Sequence, residues 1–71
     1  MPNGIDTAVA AGVLEIRIDR PEKKNALTSA MYSAMTAALR DASEEPAIGV
    51  VLISGCGDAF CAGNDLADFM A

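Results

Sequence analysis

Hydrophobic and polar residues alternate near the start of the chain. In the segment from Val13 to Ile18 they fall on opposite faces of an extended chain, with Leu14, Ile16 and Ile18 on one face and Glu15 and Arg17 on the other. A period of two residues is typical of a half-buried strand. The segment from Ile5 to Val9 predicts a strand before it, and Gly12 supplies the positive φ that a hairpin turn requires. We therefore predict a β-hairpin that ends before Pro21, which cannot donate to a strand ladder.

After Thr28 the spacing between apolar residues becomes longer. Apolar residues then recur at spacings of three and four, which is typical of one face of a helix: Met31, Met35, Ala38, Leu39 and Ala42. Thr28 or Ser29 is a suitable N-cap. Pro46 ends the helix, because the residue before a proline is disfavoured in the α region.

The third pattern is a continuous apolar run from Ile48 to Ser54, which is typical of a parallel strand covered on both faces. A glycine-containing loop follows, and Asp65 to Met70 has the spacing of a short helix. The predicted order is strand, strand, helix, strand, helix, an α/β arrangement. Because the covering layers are not among these elements, we interpret residues 1–71 as the N-terminal fragment of a single larger domain.

Composition and charge exclude several classes of function. The 71 residues carry a net charge of −5 and contain no His, so neither a nucleic-acid interface nor a His-based metal site or catalytic triad is expected. Two cysteines, Cys56 and Cys61, are too few for a disulfide framework, and their spacing predicts no metal site. The chain has neither the pattern of a signal peptide nor an apolar span long enough for a membrane. We expect a cytoplasmic protein with no membrane partner.

Two features suggest ligand chemistry without specifying it. Gly55-Cys56-Gly57 begins like a dinucleotide-binding loop, but Phe60 stands at the third glycine position and no Walker pattern follows. Four of the five basic residues fall within eight positions: Arg17, Arg20, Lys23 and Lys24. This basic stretch fits either a solvated loop or a seat for a multiply charged anion.

The segment from Phe60 to Leu66 brings small residues to the start of the last helix. The first N–H groups of a helix have no intrahelical partner and can stabilise a developing negative charge. The small side chains of Ala62 and Gly63 would let a substrate approach the backbone. Asp65 fits a helix-start acid better than a general base.

Three segments together resemble the N-terminal part of the crotonase superfamily, the enoyl-CoA hydratase/isomerase family. They are the hairpin end Ile18-Asp19-Arg20-Pro21 with Lys24-Asn25-Ala26-Leu27, the strand from Val50 to Gly55, and the segment Phe60-Cys61-Ala62-Gly63-Asn64-Asp65-Leu66, which is similar to the family signature F-x-A-G-x-D-L/I. The resemblance covers nearly the whole chain and implies a crotonase-type ββα spiral fold.

The resemblance implies that two backbone N–H groups polarise an acyl-CoA thioester and stabilise an enolate in an oxyanion hole. The N–H of Asn64 would be one donor, and a glycine beyond residue 71 would be the other. The implied substrate-binding residues are Lys24, Ala26, Ala62, Gly63, Asn64, Asp65 and Leu66, with Ala62 near the adenine. Coenzyme A would be part of the substrate rather than a bound cofactor. Family members form trimers or hexamers, so a homo-oligomer is expected for the full-length protein.

The acid/base carboxylates of the family also lie beyond residue 71. The resemblance therefore implies a parent enoyl-CoA hydratase or Δ3,Δ2-enoyl-CoA isomerase of fatty acid metabolism, and an isolated 71-residue chain that is inactive. Gly63-Asn64-Asp65-Leu66 with Phe69 is similar to the isomerases. The alternative is a truncated, non-catalytic chain that binds CoA or pairs with another subunit.

Overall fold

The computed structural model describes residues 4–70. Its elements follow the predicted order: β1 (Ile5–Ala10), β2 (Val13–Ile18), a 3-10 turn (Pro21–Lys23), α1 (Ser29–Ser43), β3 (Val50–Gly55) and α2 (Leu66–Phe69). None of the helices in residues 4–70 is both long enough and apolar enough to cross a membrane.

The three strands form one mixed sheet in the order β1-β2-β3. β1 and β2 are antiparallel, with Ala10 opposite Val13, and the two turn residues Ala11 and Gly12 have φ of 52° and 79°. A two-residue turn with positive φ at both positions matches the twist of a hairpin. The predicted glycine lies at the second of these positions. β3 joins the other edge of β2 in parallel, with Val13 opposite Val50, so the predicted parallel strand is confirmed.

The core lies between the sheet and α1. The predicted inward face of β2 is confirmed, and the buried apolar residues are Ile5, Leu14, Ile16, Ile18, Leu27, Met31 and Ala42. The Thr28 hydroxyl caps α1 by accepting from the Met31 N–H at 3.1 Å. Leu39 is the most exposed residue of the predicted helical face, at 43%. It lies at the flank of the apolar stripe and lines a groove with Ile48 and Val50.

β3 lacks the cover that its apolar run calls for, which agrees with the expectation that the covering layers are not among the elements of this chain. Within residues 4–70 its side chains from Val50 to Ile53 are 38–57% exposed. The reason is that α1 packs against β1 and β2. The apolar run therefore specifies parallel pairing in this chain but leaves an uncovered apolar row.

Candidate functional site

The two segments that carry the predicted site lie side by side. Leu27 and Asn64 form an isolated parallel bridge. The Leu27 N–H donates to the Gly63 carbonyl oxygen at 2.7 Å, and the Asp65 N–H donates to the Leu27 carbonyl oxygen at 2.7 Å. This bridge brings the loop that contains Lys24 and Ala26 next to residues 62–66.

The bridge also fixes the direction in which the Asn64 N–H points. In a parallel pair one residue bonds to the two neighbours of its partner, so the partner's own N–H and C=O point to the other side. Leu27 bonds to Gly63 and Asp65 in this way. Among residues 4–70 the Asn64 N–H has no acceptor, and Asn64 is exposed. The described residues thus leave the backbone N–H of Asn64 free, which is the group that the family resemblance implies as a donor.

The backbone next to this donor has an unusual conformation. Gly63 has a φ of +93°, and apart from Gly63 and its two chain neighbours no described residue has an atom within 4 Å of the point where a Cβ would stand. Its N–H donates to Cys61 Sγ at 3.3 Å. Ala62 is exposed and Leu66 is 71% exposed. The segment therefore presents open backbone, with room for a ligand along Gly63.

The Asn64 side chain makes a contact of its own. Tyr32 of α1 donates its hydroxyl proton to Asn64 Oδ1 at 2.6 Å, and the Tyr32 ring meets the edge of Phe69 at a centroid distance of 6.1 Å. The side-chain amide is therefore held against α1, while the main-chain N–H stays free.

Asp65 has the structural role that the sequence favoured. Its Oδ1 accepts from the Asp68 N–H at 3.1 Å and so caps α2, and its Oδ2 accepts from Arg20 Nη1 at 2.6 Å. The hydrogen bond from Arg20, followed by that from the Asp68 backbone, lowers the pKa of Asp65. A carboxylate held in its charged form by two donors is a poor proton acceptor.

The basic stretch is largely paired within the chain. Arg20 binds Asp65, while Arg17 lies 3.8 Å from Glu15 and Lys24 lies 3.4 Å from Asp58. Arg20 belongs therefore to the internal structure, which neither reading of the stretch anticipated. Lys24 remains 66% exposed at its side chain, so its ammonium group is accessible to an anion.

Asn25 organises this region, and the sequence analysis missed it. It is fully buried, with a φ of +59°. Its Nδ2 donates to the carbonyl oxygens of Cys56 at 2.8 Å and Ala59 at 2.6 Å, and its Oδ1 accepts from the Arg20 N–H at 2.8 Å. Asn is the residue most tolerant of positive φ after Gly, which was the one available signal.

The two thiols are both free. Cys61 packs against the hydrophobic core, as its interpretation as a small hydrophobe requires. Cys56 is half-buried, and a hydrogen bond to the Asp19 carboxylate, with burial as the next cause, raises its pKa. A raised pKa reduces the thiolate fraction, so Cys56 is poorly suited to act as a nucleophile.

The hairpin, the helix that connects two parallel strands and the free donor beside α2 define an α/β chain of crotonase fold. The chain belongs to the enoyl-CoA hydratase/isomerase family, whose model matches residues 8–71. The predicted family and fold class are thereby confirmed.

The relatives include hydratases and isomerases. A probable enoyl-CoA hydratase, echA6, of Mycobacterium tuberculosis is 47% identical over 57 residues, which are 80% of this chain and 23% of that protein. Enoyl-CoA delta isomerase 2 of Rattus norvegicus is 38% identical over 66 residues, which are 93% of this chain and 17% of that protein.

Solved structures agree with these relatives. An enoyl-CoA hydratase/isomerase from Pseudoalteromonas atlantica superposes with a TM-score of 0.93 at 38% identity, over 96% of this chain and 27% of that one. The Pseudomonas aeruginosa protein OdaA gives a TM-score of 0.89 at 48% identity, over 94% of this chain and 27% of that one. The chain thus spans about a quarter or less of the length of these four proteins.

Proposed function

We propose that this chain supplies one oxyanion donor and part of the acyl-CoA surface of an enoyl-CoA hydratase or Δ3,Δ2-enoyl-CoA isomerase. The observation that carries the proposal is the Asn64 N–H, which has no acceptor within residues 4–70 and stands beside the open backbone of Gly63. Membership of the family, whose model matches residues 8–71, supports the same reaction class.

The chemistry requires a donor aimed at the thioester oxygen. When a proton leaves the carbon next to the carbonyl, or when water adds to the conjugated double bond, negative charge collects on that oxygen as an enolate forms. A fixed backbone N–H stabilises this charge without reorganising, and one such donor contributes roughly 10²–10³-fold to kcat. The resemblance assigns the second donor and the proton-transfer carboxylates to positions after residue 71.

The CoA moiety would lie along the other predicted residues. Lys24 provides an accessible positive charge for the phosphates, with Ala26 next to it in the chain and Ala62 exposed on the neighbouring segment. At physiological salt the attraction of one exposed charge is screened over about 8 Å, so Lys24 contributes modestly. A cytoplasmic location and a trimeric or hexameric assembly are part of this proposal and await fractionation and native mass measurements.

The hydratase and isomerase activities share the enolate, and relatives named for each are similar to this chain. Turnover of crotonyl-CoA by the natural protein tests the hydratase, and turnover of a 3-enoyl-CoA tests the isomerase. Activity on neither substrate favours the non-catalytic alternative.

One observation supports that alternative, a chain that pairs with another family subunit. The four apolar residues from Val50 to Ile53 are 38–57% exposed and alternate between the two faces of β3, so this edge strand presents apolar side chains on both faces. Native mass spectrometry of the natural protein tests it, since a hetero-oligomer without turnover is the expected result.

The oxyanion role is tested by replacing the backbone N–H of Asn64 with an oxygen atom. Cys61 permits ligation of a synthetic peptide of residues 61–71 in which the amide between Gly63 and Asn64 is an ester. The probes are crotonyl-CoA and S-butyl-CoA, a thioether of equal chain length that lacks the carbonyl. A neutral hydrogen bond corresponds to about a two- to twelvefold preference for crotonyl-CoA.

We expect this preference in the unmodified chain and in Asn64→Ala, which keeps the main-chain N–H, and its loss in the ester. The ester also weakens the Gly63 oxygen as acceptor for Leu27, so the Leu27 amide resonance is followed as a check on the bridge. An ester chain with an intact bridge and an undiminished preference would exclude Asn64 as the donor.

A further inference from the structure

Of the three ion pairs within residues 4–70, one differs from the others in distance and burial. Arg20 and Asp65 approach to 2.6 Å, with side chains 21% and 14% exposed. The pair of Lys24 and Asp58 is 3.4 Å apart with side chains 66% and 84% exposed. Exposed pairs contribute little, whereas a short, shielded, charge-assisted hydrogen bond fixes geometry.

The Arg20 guanidinium joins both walls of the candidate site. Nη1 donates to Asp65 Oδ2 at 2.6 Å and to the Ala26 carbonyl oxygen at 3.1 Å. The Arg20 backbone is itself anchored, because its N–H donates to Asn25 Oδ1 at 2.8 Å. A single side chain therefore links the loop at Ala26 to the segment that carries the free donor.

Asp65 directly follows Asn64 and is held from three sides. Its N–H donates to the Leu27 carbonyl, its Oδ1 caps α2 and its Oδ2 accepts from Arg20. The substitution Asp65→Asn removes the contact with Arg20 and keeps the other two, because an asparagine side chain can also accept the N-cap hydrogen bond of α2.

We infer that Arg20 and Asp65 are positioning residues that hold the Asn64 N–H in the direction required by a thioester oxygen. This inference rests on the proposed function, since it assigns the pair to the geometry of that donor. Small displacements of a donor matter because hydrogen bonds weaken steeply with misalignment.

The test compares Arg20→Gln and Asp65→Asn with the control Arg17→Gln, which makes the same change three residues earlier. Arg17 lies 3.8 Å from Glu15, and its side chain is 51% exposed. Dissociation constants for crotonyl-CoA and S-butyl-CoA are obtained from ¹⁵N-HSQC titrations of the full chain. We expect the wild type and Arg17→Gln to prefer crotonyl-CoA by about two- to twelvefold.

In Arg20→Gln, Asp65→Asn and the double variant, the preference should fall to about one, with S-butyl-CoA affinity unchanged. The double variant should lose no more than Arg20→Gln alone, because Arg20→Gln already removes both the contact with Asp65 and the contact with the Ala26 carbonyl. An undiminished preference, or an equal loss of affinity for both ligands, would overturn the positioning role. A wild type without preference would instead count against the proposed function.

A ligand-free measurement gives an independent result. The residual dipolar coupling of the Asn64 N–H reports the direction of that bond, and it should change in both variants and not in Arg17→Gln. Unchanged couplings in Arg20→Gln and Asp65→Asn would refute the inference whatever the ligands do. Asp65→Asn keeps the cap of α2, so it remains decisive if Arg20→Gln does not fold.

Discussion

Replacing Asn25 with alanine removes the most connected polar side chain of the described region. The substitution leaves three backbone groups without their partner: the Arg20 N–H and the carbonyls of Cys56 and Ala59. At about 0.5–1.5 kcal/mol per hydrogen bond, the loss is about 1.5–4.5 kcal/mol. Alanine at a φ of +59° adds about 1 kcal/mol of strain. A chain of 71 residues has a total stability of roughly 4–11 kcal/mol, so the effect is large.

Urea unfolding followed by far-UV circular dichroism measures this loss as a lower midpoint at an unchanged m-value. Asn25→Gly removes the same hydrogen bonds without the Cβ strain, so its difference from Asn25→Ala isolates the backbone contribution. Asn64→Ala is the matched control, because it removes a single exposed hydrogen bond, the one from the Tyr32 hydroxyl, and should cost only about 0.5 kcal/mol. A loss below about 1 kcal/mol for Asn25→Ala would refute the assignment of these three hydrogen bonds.

Three further outcomes are expected. In the natural protein, Asn64→Ala should retain enoyl-CoA turnover. Asn64→Pro lacks the backbone N–H and should lose roughly 10²-fold or more in kcat. Equal turnover of the two variants would contradict the role of the backbone N–H. Gly55→Ala should cost about 1–3 kcal/mol in urea unfolding, because the new Cβ would lie 2.5 Å from the Phe60 carbonyl oxygen, whereas Gly49→Ala meets nothing within 4 Å and should be neutral. Arg20 lowers the folded-state pKa of Asp65, so the stabilisation that this carboxylate provides is complete above its unfolded pKa of 3.8 and is lost as the pH falls through the lowered pKa. Thermal unfolding in this acid range should therefore depend less on pH in Asp65→Asn than in the wild type. Identical pH profiles of the two proteins would argue against the ion pair.

The parts of the fold that could be predicted are those that depend on residues close together in the sequence. The alternation in β2 predicted its inward face, and the hydroxyl of Thr28 marked the start of α1, because both signals depend on neighbours in the sequence. The exposure of β3 followed from two patterns together: its apolar run is typical of a strand that prefers cover on both faces, and the predicted elements include no layer that could provide it.

The contacts that build the candidate site could not be predicted from the sequence. The small residues before α2 predicted open backbone at a helix start, and only the family resemblance singled out Asn64. The bridge of Asn64 to Leu27 and the contact of Arg20 with Asp65 join positions 37 and 45 residues apart. Such pairings follow from tertiary placement, which the spacing of one sequence does not contain. Nothing in the sequence distinguishes Arg20 from the other basic residues of its stretch, because its partner Asp65 is brought to it only by the fold.

The most direct test of the oxyanion assignment follows the Asn64 amide resonance during titration of the ¹⁵N-labelled chain with crotonyl-CoA and, separately, S-butyl-CoA. A new hydrogen bond to a carbonyl oxygen deshields the amide proton. We expect a downfield shift of this proton that saturates with crotonyl-CoA and is absent with S-butyl-CoA. An Asn64 proton that stays unmoved while other amides respond to crotonyl-CoA would contradict its role as the donor.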